Sequence, residues 1–195
     1  YKLTDNINLR GAVSTGFRAP SLHQIYYNST ATQFVGGVPF EVGTFSNDSP
    51  AAKLLGIPQL KQEESQSASV GFTAKIPEAK LTLTADAYFV KINDRVVLTD
   101  QFSRPGGTPA AGTPAEQLNT LFDNANATAA TFFANAIDTE SKGIDVVISH
   151  KANVGNSLIL KTDLSGTLSN TRKVGGIHAS PILEAAGQIN KYYSE

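Results

Sequence analysis

Residues 65–76 read SQSASVGFTAKI, and from Ala68 onward every second side chain of this stretch is apolar. The intervening positions carry Ser, Gly, Thr and Lys. Because successive side chains of a β-strand point to opposite faces of its sheet, this alternation predicts a strand with one apolar face and one polar face.

The same alternation recurs along the chain and predicts five long strands. They lie near residues 5–18, 64–76, 80–96, 132–151 and 156–170. Strands of soluble proteins average about 5–6 residues, whereas a tilted strand that crosses a membrane needs about 9–11 residues. The length of the predicted strands therefore favours a membrane-spanning barrel.

The connections between the predicted strands are of two kinds. Short turns lie at 77–79 and 152–156, and long loops lie at 19–62, 95–131 and 170–195. Short turns at one end of the strands and long loops at the other are typical of outer-membrane barrels. Within the loops, capping patterns predict short helices that begin at Ser49, Thr113 and Ser180, with Glu116 completing a capping box with Thr113.

Composition excludes several classes of protein. The chain has 195 residues with 16 Lys+Arg and 17 Asp+Glu, a net charge of −1, whereas a nucleic-acid-binding domain usually carries a basic excess. It contains no cysteine, which excludes a disulfide scaffold and a thiolate metal site. No run of 18 apolar residues is present, so no transmembrane helix is predicted.

Two fold classes are compatible with the two-faced strands. The first is an all-β, antiparallel up-and-down meander of about five strands, part of a large transmembrane β-barrel with short helices in its long loops. The second is a soluble β-sandwich, such as a carbohydrate-binding module, whose apolar face packs into a core.

Five strands spaced about 4.8 Å apart would present an apolar patch of about 600 Å². Lipid, more barrel or a partner chain must cover a patch of that size.

Few residues carry a pattern that points to chemistry. Glu63 and Glu64 lie in a polar run, which predicts solvated carboxylates rather than an acid–base pair. His23, His150 and His178 lack the spacing of metal ligands, so no metal site is predicted. No nucleophile or phosphate-loop motif occurs, and the sequence predicts neither a catalytic residue nor a cofactor.

Four segments carry motifs that resemble one family. They read GFRAPSL at 16–22, LKQEESQS at 60–67, AYFVKINDRV at 87–96, and NA at 135–136 followed by SKGID at 141–145. In this order and spacing they resemble motifs of the TonB-dependent outer-membrane receptors, over roughly residues 5–150. Gln62 stands where the family pattern has Pro, and Asp145 where it has Glu.

The resemblance implies that the chain is a segment of a plugged barrel of about 22 strands, without the plug and without the C-terminal strands. The short turns would face the periplasm and the long loops the cell exterior. Structural roles are implied for the motif residues, with Asp94 and Arg95 as a pair at the barrel rim. These residues are Gly16, Phe17, Arg18, Pro20, Glu63, Ser65, Asp94, Arg95, Asn135, Gly143 and Asp145.

The resemblance also implies transport across the outer membrane of a Gram-negative bacterium. The expected partners are outer-membrane lipid, the remainder of the barrel and plug, the TonB complex acting through the plug, and a small-molecule ligand. A ferric siderophore is the expected ligand, with cobalamin and an oligosaccharide as alternatives. Arg18, Tyr26 and Tyr27 are the candidate ligand contacts. A carboxylate partner for Arg18 and packing within the loop for the tyrosines are the alternatives.

Overall fold

The computed structural model describes residues 1–155 and 157–193 of the chain. Asn156, where the fifth predicted strand begins and the second predicted turn ends, and residues 194–195 of the last predicted loop lie outside the described residues. The chain groups into two compact units of three segments each. The sheet unit comprises Tyr1–Gly16, Ser65–Ile92 and Thr139–Lys173, and the loop unit comprises Phe17–Glu64, Asn93–Asp138 and Val174–Glu195.

Strands dominate the described residues, and the helices are short. In chain order the elements are β1 (Ile7–Arg18), α1 (Leu22–Tyr26), β2 (Ser29–Val35), β3 (Val38–Thr44), α2 (Pro50–Leu54), β4 (Glu63–Ile76), β5 (Leu81–Leu98), β6 (Phe102–Ser103), α3 (Pro114–Asn124), β7 (Ala127–Thr131), β8 (Phe133–Val154), β9 (Leu158–Val174), α4 (Pro181–Ala185) and a 3₁₀ turn (Ile189–Lys191). Within the described residues, no helix has the length and apolarity needed to cross a membrane.

The five longest strands form one antiparallel sheet in the order β1-β4-β5-β8-β9. Each strand therefore lies beside the long strand that follows it in the sequence, which is the order of an up-and-down meander. This confirms the predicted fold class of a partial β-barrel segment. Pairing continues beyond the region of clear alternation, so β5 extends to Leu98 and β8 to Val154.

Polar side chains of the sheet unit contact one another across strands. Arg10 on β1 donates to Asp86 Oδ1 on β5 at 2.6 Å and to the Thr73 hydroxyl on β4 at 2.9 Å. Further pairs join Ser14 with Ser67, Thr167 with Asp145, and Arg172 with Glu140. The residues that the alternation assigns to the polar face thus satisfy one another's hydrogen-bonding groups.

The other face of the sheet unit is apolar and exposed. Val13 is 85% exposed and Leu168 is 78% exposed. The same exposed set includes Leu9, Val70, Phe72, Ile76, Phe89, Ile144, Leu158, Leu160 and Leu164. The core of a soluble β-sandwich would bury such side chains, and within the described residues no second sheet covers them.

Two glycines of the sheet unit make room for polar-face side chains. A Cβ atom at Gly71 would lie 2.0 Å from Asp86 Oδ1, in the path of the Arg10 ion pair. A Cβ atom at Gly143 would lie 2.6 Å from the Tyr88 ring and 2.7 Å from the Leu168 carbonyl oxygen. The second contact is with backbone, which cannot swing away.

The loop unit contains a second sheet that the sequence analysis did not predict. Its order is β2-β3-β7-β6, within the predicted loops 19–62 and 95–131. The turn between β2 and β3 is formed by Gly36 and Gly37, with φ of 61° and 83°, and a Gly-Gly pair between apolar runs is a recognised hairpin signal. β3 pairs in parallel with β7, and no local pattern marks that distant pairing.

Aromatic side chains form the core of the loop unit. Phe102, Phe122, Phe132 and Tyr192 are fully buried, and the rings of Phe102 and Tyr192 meet edge to face at 5.0 Å. The Tyr192 hydroxyl accepts a hydrogen bond from the Ser180 N–H at 2.7 Å. Burial raises the pKa of the Tyr192 phenol, and this hydrogen bond only partly offsets the effect.

The three predicted helices are present as α2, α3 and α4. Ser49 and Thr113 cap α2 and α3 through their side chains. The capping box predicted for α3 is only half formed, because the Glu116 carboxylate accepts from the Gly112 N–H at 2.6 Å. Helix α1 was not predicted, although Ser21 and Gln24 form a complete capping box there.

Gly143→Ala should destabilise the sheet, because the new methyl group overlaps the Tyr88 ring and the Leu168 carbonyl. We expect a loss of about 1–3 kcal/mol in the free energy of unfolding, measured by denaturant titration of the purified protein in detergent. Gly166→Ala is the matched control, since a Cβ atom there meets nothing within 4 Å. Equal stability of the two variants would contradict this packing.

Candidate functional site

Motif residues from four separate segments converge at one place in the loop unit. Arg18 ends β1, Glu63 begins β4, Asp94 lies in the later part of β5, and Asn135 lies near the start of β8. Neighbouring strands of a meander run in opposite directions, so all four positions lie at the same end of the strands. We call this group, with Lys61, Asp138 and His178, the strand-end cluster.

Arg18 and Glu63 form a two-pronged ion pair. Arg18 Nε donates to Glu63 Oε2 and Arg18 Nη2 donates to Oε1, both at 2.7 Å. The Val96 N–H also donates to Oε1 at 2.7 Å. Such paired, charge-assisted hydrogen bonds fix orientation as well as adding stability.

The prediction that Glu63 is solvated is wrong, because only 7% of the residue is exposed. A buried carboxylate needs partners, and Arg18 and Val96 supply them. The neighbouring Glu64 is exposed, as predicted. The local sequence, a run of polar residues, does not reveal which of the two carboxylates turns inward.

Asn135 joins the segment before β4 to β5. Its side-chain oxygen accepts from the Lys61 N–H at 2.9 Å, and its amide nitrogen donates to the carbonyl oxygens of Lys61 at 2.9 Å and Asp94 at 2.6 Å. Asn135 is buried. One side chain thus satisfies three backbone groups that water would otherwise have to reach.

Asp94 occupies an uncommon backbone conformation, with a φ of 54°. Its N–H donates to Asp138 Oδ1 at 2.8 Å, and Lys61 Nζ lies 2.9 Å from its Oδ2. His178 Nδ1 lies 3.2 Å from Asp94 Oδ1, and His178 Nε2 lies 4.0 Å from Asp138 Oδ2. The sequence analysis missed His178 because its two acidic neighbours are distant in the chain.

The remaining motif residues lie at several places. In the sheet unit, Gly16 faces Ser65, and Asp145 accepts a hydrogen bond from the Thr167 hydroxyl at 2.6 Å. In the loop unit, Phe17 and Arg95 are exposed and Pro20 is half-buried. Gly143 packs beneath Tyr88, as described above.

The three candidate ligand contacts differ in whether their side chains already have partners within the protein. Arg18 is bound to Glu63. The Tyr27 ring lies 4.6 Å from the His23 ring, which in turn meets Phe133 edge to face at 6.3 Å. Tyr26, the last residue of α1, is 61% exposed. Of the three, Tyr26 is therefore the side chain most available to a ligand.

The loop unit also contains an open cavity that the sequence did not predict. Its volume is about 550 Å³, within the size range of small-molecule sites. It is lined by Asn28, Glu41, Phe45, Ser46, Asp48, Ser49, Pro50, Ala51 and Ala125. The Ser46 hydroxyl donates to Asp48 Oδ1 at 3.0 Å. Two carboxylates, one aromatic ring and several small polar groups therefore face the cavity.

Comparison with known proteins identifies one family. The family described as TonB dependent receptor-like, beta-barrel matches residues 1–184. The chain is similar to the solved RagAB peptide importer in its closed-closed state, at 12% identity and a TM-score of 0.49 over 87% of this chain and 16% of that one. A second RagAB peptide transporter structure gives 12% identity, a TM-score of 0.48, and coverage of 88% and 16%. The chain thus spans about a sixth of the length of these proteins. No curated protein matches it.

Asn135→Ala should make the segment before β4 more mobile, because the substitution removes the hydrogen-bond partner of the Lys61 N–H and of the Lys61 and Asp94 carbonyl oxygens. We expect a loss of about 1–3 kcal/mol of stability and faster hydrogen exchange at the Lys61 amide. Asn170→Ala, on an exposed site of β9, should change stability by less than about 0.5 kcal/mol. Undiminished protection of the Lys61 amide in Asn135→Ala would show that Asn135 does not hold this segment.

Proposed function

The chain belongs to the family of TonB-dependent receptor-like β-barrels, and on that basis we propose that it forms part of the wall and outer loops of an outer-membrane receptor that imports a scarce ligand. The exposed apolar face of the five-stranded sheet carries the proposal. In a bilayer, lipid covers that face without a protein partner.

Strand length supports the same assignment. β4 has 14 residues, β5 has 18, β9 has 17 and β8 has 22, whereas about 9–11 residues suffice to cross the hydrocarbon layer. The surplus would extend into the aqueous phase beyond the bilayer. By the usual arrangement of such barrels, the short turns after β4 and β8 lie in the periplasm and the connections of the loop unit lie outside the cell.

The ligand we propose is a ferric siderophore, and the loop unit is where the chain would meet it. Tyr26 offers an exposed ring, and Glu41 and Asp48 supply the two carboxylates that line the cavity. Two carboxylates repel a strongly anionic ligand, so a neutral or cationic ferric chelate suits the cavity better. Cobalamin and an oligosaccharide are the competing ligands that the uptake experiment separates.

The remaining parts of the mechanism follow from the family rather than from this chain. Energy would reach the receptor from the TonB complex through a plug domain inside the completed barrel, in the outer membrane of a Gram-negative bacterium. The family is one of receptors, so we assign no catalytic residue. The net charge of −1 gives no support to a nucleic-acid partner.

Uptake of radiolabelled ferric siderophores, cobalamin and oligosaccharides by cells with and without the gene tests the proposal. Siderophore uptake should require both the gene and an energised TonB system. Uptake of only another ligand would correct the ligand, and no gene-dependent uptake of any of them would contradict the transport proposal.

Tyr26→Ala should raise the ligand concentration for half-maximal uptake about threefold to tenfold, which corresponds to about 0.7–1.4 kcal/mol. Tyr26→Phe keeps the ring, so it should preserve affinity if the ring stacks on the ligand. Unchanged affinity in Tyr26→Ala would remove Tyr26 from the ligand contacts.

Val70→Arg tests the lipid-facing assignment directly. Arginine on the lipid face near the bilayer midplane should cost about 2–4 kcal/mol, measured by denaturant unfolding in lipid vesicles. Ser69→Arg lies next in sequence but on the opposite face, so its cost should be much smaller. Equal costs for the two variants would contradict the assignment of the faces.

A further inference from the structure

One imidazole and two carboxylates meet within the strand-end cluster. Asp94 comes from β5, Asp138 from β8, and His178 from the segment that follows β9. One ligand atom from each of the three lies within 4.8 Å of the others. Both carboxylates are half-buried and the imidazole is exposed.

One oxygen of each carboxylate already contacts a nitrogen of the protein. Asp94 Oδ2 contacts Lys61 Nζ at 2.9 Å, and Asp138 Oδ1 accepts the Asp94 N–H at 2.8 Å. The other oxygens, Asp94 Oδ1 and Asp138 Oδ2, are the two that face His178. Both carboxylates are thus oriented to offer a single oxygen, which is how a carboxylate binds a metal in monodentate fashion.

A backbone hydrogen bond holds the main chain of His178 beside β8. The His178 N–H donates to the Ala136 carbonyl oxygen at 2.8 Å, two residues before Asp138. The distance of 3.2 Å between His178 Nδ1 and Asp94 Oδ1 is close to the spacing of two ligands about 2.0–2.2 Å from one metal ion. Asp138 Oδ2 lies 4.0 Å from the other ring nitrogen, Nε2, so a metal bound at Nδ1 requires the Asp138 side chain to move toward Nδ1, which the mutual separation of the three ligand atoms, 4.8 Å or less, permits.

We propose that Asp94, Asp138 and His178 bind a divalent first-row transition metal, with Zn²⁺ as the preferred ion. One nitrogen and two oxygen ligands suit zinc, and water can complete a tetrahedral site. Lys61 contacts the Asp94 carboxylate, and a divalent cation would be attracted to both carboxylates. The bound metal joins the segment after β9 to β5 and β8. This inference is independent of the imported ligand.

The test is calorimetric titration of the chelator-treated protein in detergent with ZnCl₂. A second titration with CoCl₂ is followed by visible absorption, which reports on the ligands of the bound cobalt. One saturable site is expected, with Zn²⁺ raising the Tm by mass action. Its affinity should fall as the pH is lowered, because protons compete for the ligands. His178→Ala and Asp138→Asn should each weaken binding by about tenfold or more.

Two controls separate metal binding from folding. Asp138→Asn retains an oxygen that can accept the Asp94 N–H, so loss of binding in a protein with unchanged circular dichroism reports on the ligand itself. His150→Ala changes an exposed histidine on β8 and should leave the affinity unaltered. Saturable binding of equal affinity in His178→Ala, or none in the native protein, would overturn the proposal.

Discussion

The buried carboxylate of Glu63 determines how three strand ends meet. A charge removed from water is tolerated only when paired and hydrogen-bonded, and Glu63 meets this requirement with Arg18 on β1 and the Val96 N–H on β5. Asn135 and Asp138 extend the same pattern to β8. Polar contacts thereby join separate segments of the sequence at the strand ends, beside the buried apolar residues Ala134, Ala136 and Ile137.

The two units rely on different physical forces. The sheet unit keeps its polar side chains in mutual contact and leaves its apolar face exposed, an arrangement suited to a lipid solvent. The loop unit buries Phe102, Phe132 and Tyr192 in a core of the kind found in soluble domains. The residues between the long strands thus form a compact structure, which contains the cavity lined by Glu41.

Much of the fold could be predicted because its signals are local. Alternation reveals the five long strands, since it depends only on neighbouring residues, and the caps at Ser49 and Thr113 mark two helices. The pairing of β3 with β7 joins residues 41–44 to residues 127–131, and no local pattern encodes it. The burial of Glu63 and the approach of His178 to Asp94 were missed for the same reason, because their partners come from distant segments.

The most direct test of this account is a double-mutant cycle between Arg18 and Glu63, using Arg18→Met and Glu63→Gln and measuring the free energy of unfolding in detergent. Glutamine keeps an oxygen for the Val96 N–H, so the cycle isolates the ion pair. If Glu63 organises the strand ends through Arg18, the coupling should be about 1–2 kcal/mol. Single-variant effects that add to within about 0.3 kcal/mol would contradict the account.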